Sequence, residues 1–430
     1  MDTANPPVEH DEDAAHLASL GYSYDTTFKR EMSFWGNVSL GFTYLSPIAG
    51  VYSMFAISLG TAGPPMAWAL VIALVGQFFV ALIFGEVVSN YPVAGGVYPW
   101  SRRLWGRKWA WMNGWIYVVA LVGTIAAVAY GAAPFVASIF GGVVDAGGTV
   151  LIALGTLLVA TVLNFMGTRV LSMAATIGLI AELVGSVVIG GYLLIFGRVH
   201  DFSVVFDNQG IGNDAPGGYF GAFAAAALIG LFAYYGFEAN GDVAEEIKNP
   251  SQRVPRAMRI TLYIGGFAAN LLVFSLVLAV PDFAAVASGE STDPIGDLLH
   301  NAFGPVFPVV MLVIVVAFIS CITSLQAAAS RLIYSMARDR FLPGSAMLAR
   351  FNEVRHVPQN ALLAAGLFPA AVVVLSLLLA EALTAMVGFG TVGIYVGFGM
   401  VVLAALRARI LGWKPAGKFT LGVWAYPVNI

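Results

Sequence analysis

Ten separate stretches of this chain are apolar for about twenty residues each, the length at which a helix crosses the hydrocarbon core of a bilayer. They cover residues 36–59, 66–88, 110–135, 148–165, 173–196, 220–241, 260–280, 306–330, 361–379 and 383–406, the fourth and ninth being the shortest. A chain with this pattern folds as an all-α bundle of membrane-crossing helices. Strand-like alternation is absent, which argues against a transmembrane barrel. The charge content agrees. Lys and Arg number 21 and Asp and Glu 24, or 10% of 430 residues, against roughly 25% in soluble domains. Apolar residues make up 59% and mean hydropathy is +0.83, too little polar surface for a soluble enzyme. A net charge of −3 without a basic block excludes a nucleic-acid binder. The 48 glycines suit close helix approach in lipid, and the single cysteine, Cys321, rules out a disulfide framework or a cysteine-based zinc site.

Residues 1–27 lack the apolar core of a signal peptide and carry Asp2, Glu9, Asp11, Glu12, Asp13 and Asp25. They read as the greater part of a solvated cytoplasmic tail over 1–33. Cationic residues orient a membrane protein. With the N-terminus inside, 20 of the 21 Lys and Arg fall on the inner side of the ten spans, and only Arg198 falls outside. The expected setting is therefore the cell (plasma or inner) membrane, with a cytoplasmic N-terminus.

Two spans contain residues that a plain lipid-facing helix does not need. The first holds Thr43-Tyr44-Leu45-Ser46-Pro47-Ile48-Ala49-Gly50 near its middle. Pro47 has no N–H to donate and crowds the carbonyl of Thr43. The sixth holds Tyr234-Tyr235-Gly236-Phe237-Glu238-Ala239-Asn240-Gly241, with two glycines and an ionisable group. An acid inside a span costs about 2.5–3.5 kcal/mol on insertion scales, so it faces a cavity or a partner. Each feature alone has a bland reading, a proline kink and an interfacial glutamate. Together they fall in spans one and six, one five-helix unit apart. An odd-numbered unit re-enters from the opposite face, so this spacing predicts an inverted repeat. Corresponding broken helices are the best sequence pointer to a transporter's binding site. Half-helix N-termini suit an anionic group, and freed carbonyls suit an amine or cation.

Three further segments lie at one side of the predicted bundle. Between spans two and three stands Gly85-Glu86-Val87-Val88-Ser89-Asn90-Tyr91-Pro92-Val93-Ala94-Gly95-Gly96-Val97-Tyr98-Pro99-Trp100. Pro92 stops a helix and the glycine pair permits a tight turn. After span six come Ala244-Glu245-Glu246-Ile247-Lys248-Asn249-Pro250 and Val254-Pro255-Arg256-Ala257. After span eight comes Ser330-Arg331-Leu332-Ile333-Tyr334-Ser335-Met336-Ala337-Arg338-Asp339-Arg340-Phe341-Leu342-Pro343. At these places the sequence resembles the amino acid–polyamine–organocation superfamily, and most of all its amino acid/choline transporter branch, which includes 4-aminobutyrate permeases. The likeness extends from about Ser33 to the end.

The resemblance implies a five-plus-five inverted-repeat core. Residues 34–200 would form the first repeat and 201–410 the second, with 411–430 leading toward an eleventh span, since family members usually have twelve. It implies a central site between spans one, three, six and eight, and alternating access driven by protons, sodium or exchange. Gly236-Phe237-Glu238-Ala239 resembles the unwound sixth-helix motif, where the main chain binds the substrate amine and the glutamate tunes substrate or proton coupling. Ser46-Pro47-Ile48-Ala49-Gly50 departs from the Gly-Ser-Gly pattern of many amino-acid antiporters and is closer to the choline/4-aminobutyrate branch. The expected substrate contacts are Thr43, Tyr44, Ser46, Pro47, Ile48, Ala49, Gly50, Tyr235, Gly236, Phe237 and Glu238.

Glu182, midway along span five, has two readings, a structural hydrogen-bond partner or a proton-coupling group. Span five also lacks the Lys or Arg that replaces sodium in some proton-coupled relatives. Ser320, Thr323 and Ser324 on span eight either ligate sodium with carbonyls of span one or bond back to their own helix. Glu86 is expected to anchor the inner end of span two. Gly388-Phe389-Gly390-Thr391-Val392-Gly393 matches a dinucleotide fingerprint by letter but lies inside an apolar span, so it reads as packing. Asn37-Val38-Ser39 is discounted as a glycosylation site, and the five histidines lack metal-ligand spacing. No cofactor or metal is expected, and no nucleophile–base pair supports an enzyme. The reading is a secondary transporter for an amino acid, 4-aminobutyrate or a related amine, embedded in a lipid bilayer, with a coupling proton or sodium. The alternative is a non-transporting solute sensor or partner subunit.

Overall fold

A computed structural model describes residues 28, 30–142, 144–291, 293–379 and 381–430. Most of the acidic tail expected over 1–33 lies outside these residues. Among the described residues nine helices are long and apolar enough to cross a membrane: Phe34–Ala62, Pro64–Asn90, Arg107–Ile139, Ala146–Phe165, Thr168–Gly197, Pro250–Ala279, Pro294–Arg338, Gln359–Leu378 and Ala382–Ile410. The tenth expected span, the sixth in order, is only Gly218–Ala233 as helix, because the chain unwinds after it. The remainder of the expected sixth span is the interruption itself.

The seventh and eighth spans start or finish well outside the apolar windows, at Pro250 and Arg338. Hydropathy reports the lipid-facing part of a helix and not its polar extensions. Pro250 stands at the first helical position, where a missing N–H costs nothing. The tenth span packs along the third through glycines. A Cβ at Gly393 would stand 2.6 Å from Ala120 Cβ, and Gly390 and Gly397 lie against Thr124 and Tyr117. This is the small-residue approach expected of apolar helices. The seventh span packs along the second, with Gly266 against Leu74.

At the end where the basic residues gather, polar contacts tie the bundle together. Arg331 Nε donates to Glu246 Oε1 at 2.9 Å, and Thr168 donates to the other carboxylate oxygen at 2.7 Å. Glu86, fully buried on span two, pairs with Arg409 on span ten and accepts the Leu421 N–H at 2.7 Å. Ser89 and Asn90 accept the N–H groups of Phe419 and Ala416. The segment after the tenth span is therefore held under span two. Between spans two and three, the short helix Val97–Leu104 carries Tyr98 and Arg102, both bonded to Asp339. Burial first, and then the bond to Asp339, hold the Tyr98 phenol well above its ordinary range, so it stays a donor.

Candidate functional site

The first span breaks at one residue. Its halves are Phe34–Leu45 and Pro47–Ala62, and Ser46 between them has φ 45°. A left-handed conformation costs a non-glycine residue roughly 1–2 kcal/mol. Pro47 dictates the location, since it opens the second half and cannot bond back to the first. The sixth span breaks over Tyr234–Gly236, with Gly236 at φ 120°, and resumes as the turn Ala239–Asp242. Only glycine tolerates that angle without strain. A Cβ on Gly236 would also stand 2.6 Å from the Leu45 backbone nitrogen, while one on Gly50 would stand 2.9 Å from Ala233 Cα. The two breaks thus pack against each other, backbone to backbone. Reciprocal amide bonds add to this contact: Asn37 Nδ2 donates to Asn240 O at 3.1 Å, and Asn240 Nδ2 donates to Asn37 O at 2.6 Å.

Each break has a buried carboxylate on the donors that it frees. Glu182 of span five accepts from Ser46 Oγ and, at 3.0 Å, from the Ile48 N–H. Ser46 Oγ in turn accepts the Ala49 N–H at 3.1 Å. Glu238 accepts the Gly236 N–H and the Tyr117 hydroxyl, each at 2.7 Å. Both carboxylates are fully buried. Span five can approach because it widens into a π-helical turn at Val184–Val188, where Gly185 lies against Ile48. Such turns favour functional positions.

The other expected residues fall into three groups. Tyr44 and Tyr235 meet edge to face at 6.1 Å beside the breaks, and Cys321 Sγ lies 3.5 Å from the Tyr44 carbonyl. The hydroxyls of Tyr44 and Thr124 are buried, the first beside Tyr117 and Glu238 and the second beside Tyr235. Thr43 bonds back to Ser39 O at 2.8 Å and also meets Ser324 Oγ at 2.7 Å. Ser320 reaches Ala174 O of span five at 3.3 Å, whereas Thr323 bonds back to Ile319 O. Thr323 thus bonds to its own helix, while Ser320 and Ser324 reach spans five and one. Phe237 packs into the aromatic core with Phe84 and Phe398 at 5.9 and 5.7 Å. Tyr117 and Thr124 lie outside the segments that the sequence marks, whereas Asn240 falls within the sixth-span segment. A tyrosine or threonine in an apolar run gives no sign of its distant partner. Asn37 is buried, which agrees with discounting it as a glycan acceptor. The described cavities, among them one of about 550 Å³ lined by Tyr192, Phe196, Val280 and Leu298, lie away from the breaks. Glu182 and Glu238, without an ion-pair partner among the described residues, stand at the breaks.

These features define a polytopic membrane protein built around discontinuous helices, the architecture in which solutes are bound at broken segments. The family model for amino acid permeases matches residues 33–430, and the chain belongs to that family, within the amino acid–polyamine–organocation superfamily. It is 26% identical to Amino-acid permease BAT1 of Arabidopsis thaliana, over 97% of this chain and 86% of the relative. It is 25% identical to the rice homolog of that permease, over 95% of this chain and 83% of the relative. It is 26% identical to Amino-acid permease 2 of Neurospora crassa, over 96% and 78%. Family and relatives indicate a membrane transporter for amino acids rather than an enzyme.

Proposed function

We propose that the protein is a secondary active transporter that moves an amino acid, 4-aminobutyrate or a related amine across the cell membrane by alternating access. The observation that carries this reading is the contact between the two breaks, with Gly236 against Leu45 and Gly50 against Ala233. Unwound backbone at membrane depth is tolerated only where it is buried in protein or lines a wet cavity, and here it gathers at two corresponding helices. Breaks in spans one and six also support the division into repeats at 34–200 and 201–410. Tyr44, Tyr235 and Glu238 would meet the substrate beside the backbone of 46–50 and 235–238. Phe237 would support the site from the core. The groups at the breaks are fully buried, so substrate access requires the helices around them to part, as alternating access does.

The same reading places the N-terminus and most basic residues on the cytoplasmic side. Coupling runs through a proton on Glu238 or Glu182, through sodium near Thr43 and Ser324, or through exchange. Uptake of labelled amines and amino acids into proteoliposomes, with imposed pH and sodium gradients, tests the proposal. Substrate-dependent flux that responds to one gradient supports it, and absence of flux across the panel sinks it. Glu238→Gln should change the pH profile of uptake, and an unchanged profile removes Glu238 from proton coupling.

A further inference from the structure

We infer that the inner end of the third span holds one anionic glycerophospholipid, its phosphate on Arg107 and Lys108 and an acyl chain in the furrow between the third and tenth spans. The inference goes beyond the transport reading and takes from it only which side faces the cytoplasm. The stretch that leads into span three has the composition of a charged interface. Residues 87–144 contain no Asp or Glu, yet Arg102, Arg103, Arg107 and Lys108 all fall there, within seven positions. Five of the nine tryptophans, Trp100, Trp105, Trp109, Trp111 and Trp115, fall in the same stretch. Tryptophan gathers at headgroup level, and basic clusters on the cytoplasmic side face the anionic leaflet.

The fold turns this stretch into a groove of about 920 Å³, lined by Trp105, Trp109, Trp111 and Phe341 together with Arg107 and Lys108. Trp105 and Trp109 stack at 4.0 Å, and Trp109 Nε1 donates to Met400 O of span ten at 3.0 Å, which fixes the aromatic wall. Arg407 lies 4.8 Å over the Trp105 ring, a third cation beside the groove. Arg107, Lys108 and Arg407 have no carboxylate partner among the described residues, and the neighbouring Asp339 is already taken by Arg102 and Tyr98. Lys108, Trp111, Trp115 and Val119 recur at three- and four-residue spacing, so they share one face of the helix. Further along that face, Trp115 and Val119 line a second groove of about 700 Å³, closed across span ten by Gly388, Phe389 and Val392. Lys108 and Val119 are 11 positions apart, about 16 Å of helix. That matches the roughly 15 Å of hydrocarbon in one leaflet. A free phosphate would use only the first groove and a hydrocarbon only the second, whereas an anionic phospholipid uses both. A zwitterionic lipid brings an ammonium toward three cations and gains less.

The test is quenching of tryptophan fluorescence in the purified full chain in detergent, titrated with brominated phosphatidylglycerol or brominated phosphatidylcholine of the same acyl chains. The wild-type protein should bind the phosphatidylglycerol at least tenfold more tightly, since each cation near an anionic lipid is worth roughly fivefold. Arg107→Gln with Lys108→Gln should bring the two lipids within about threefold of each other while leaving phosphatidylcholine binding unchanged. Both side chains are exposed, so neither is needed for packing. Arg253→Gln with Arg350→Gln, on the same side but outside the groove, should leave the preference intact. Gly388→Leu projects into the second groove, where a Cβ meets no atom within 4 Å. It should weaken both lipids about threefold or more and keep their ratio. Wild-type affinities within threefold of each other, or an unchanged preference in the Arg107 and Lys108 variant, would overturn the inference. So would an equal loss of preference in the control pair, or unchanged lipid binding in Gly388→Leu. Displacement of the phosphatidylglycerol by an equal concentration of glycerol 3-phosphate would also overturn it, by marking an anion site that needs no acyl chain. None of these results bears on amine uptake, so the transport reading is tested separately.

Discussion

The buried pair of Arg331 and Glu246 joins the eighth span to the turn after the sixth, and its removal should be felt by the whole bundle. Both side chains are buried, at 1% and 0% exposure. Arg331→Met leaves Glu246 charged, buried and held only by Thr168. Breaking such a pair by removing one partner costs about 3–5 kcal/mol, most of it the uncompensated charge left behind. Arg331 Nη2 has no partner, so the native pair is itself incompletely satisfied. This puts the expected loss at the lower end, about 3 kcal/mol. Arg331→Met combined with Glu246→Gln removes both charges and keeps an acceptor for Thr168, so it should recover most of the loss. The assay is reversible unfolding in mixed micelles for the wild type, both single variants and the double variant. A coupling energy of about 2 kcal/mol or more is expected. A loss below about 1 kcal/mol for Arg331→Met, the range of exposed pairs, would refute the reasoning.

Other perturbations probe the breaks and the packing. Gly236→Ala forces a Cβ into the Leu45 backbone at an angle alanine does not adopt, so it should cost about 3 kcal/mol or more and abolish uptake; wild-type flux would show that the breaks do not touch. Tyr117→Phe removes a donor to Glu238 and should lower transport efficiency about tenfold while leaving expression unchanged, since a hydrogen bond to a charged group is worth about 1.5–3 kcal/mol. Gly393→Leu overpacks the third and tenth spans and should cost about 1–3 kcal/mol in the same unfolding assay. Asn37, buried against Asn240, should carry no glycan when the chain is made in a glycosylating host, and a gel shift abolished by Asn37→Gln would contradict its placement.

Much of this architecture was legible because lipid leaves few alternatives. The nine long helices follow from hydropathy, and both breaks follow from local chemistry, Pro47 in one and the glycines around Glu238 in the other. What could not be read was which distant group meets each break. Glu182 stood out as an acid in mid-span, but nothing in the sequence places its carboxylate on Ser46 and Ile48, which lie 136 and 134 positions away. Asn37 was visible only as a sequon, and its amide partner lies 203 residues on. The helical reach of Ser330–Arg338 was hidden because Ser330, Arg331 and Ser335 face protein, where hydropathy reads them as loop. Thr323 and Ser324 are adjacent in sequence, yet one bonds to its own helix and the other to span one, a difference set by helix rotation alone.

Counterflow tests the central claim most directly because it needs no knowledge of the coupling ion. Proteoliposomes are loaded with an unlabelled amine and diluted into a trace of the same amine carrying label. A carrier that alternates access at the two breaks should concentrate label transiently inside, and Gly236→Ala should abolish the overshoot. Saturable binding of the amine with no overshoot, under conditions where the wild-type protein is folded and correctly inserted, would contradict the account and leave a sensor in its place.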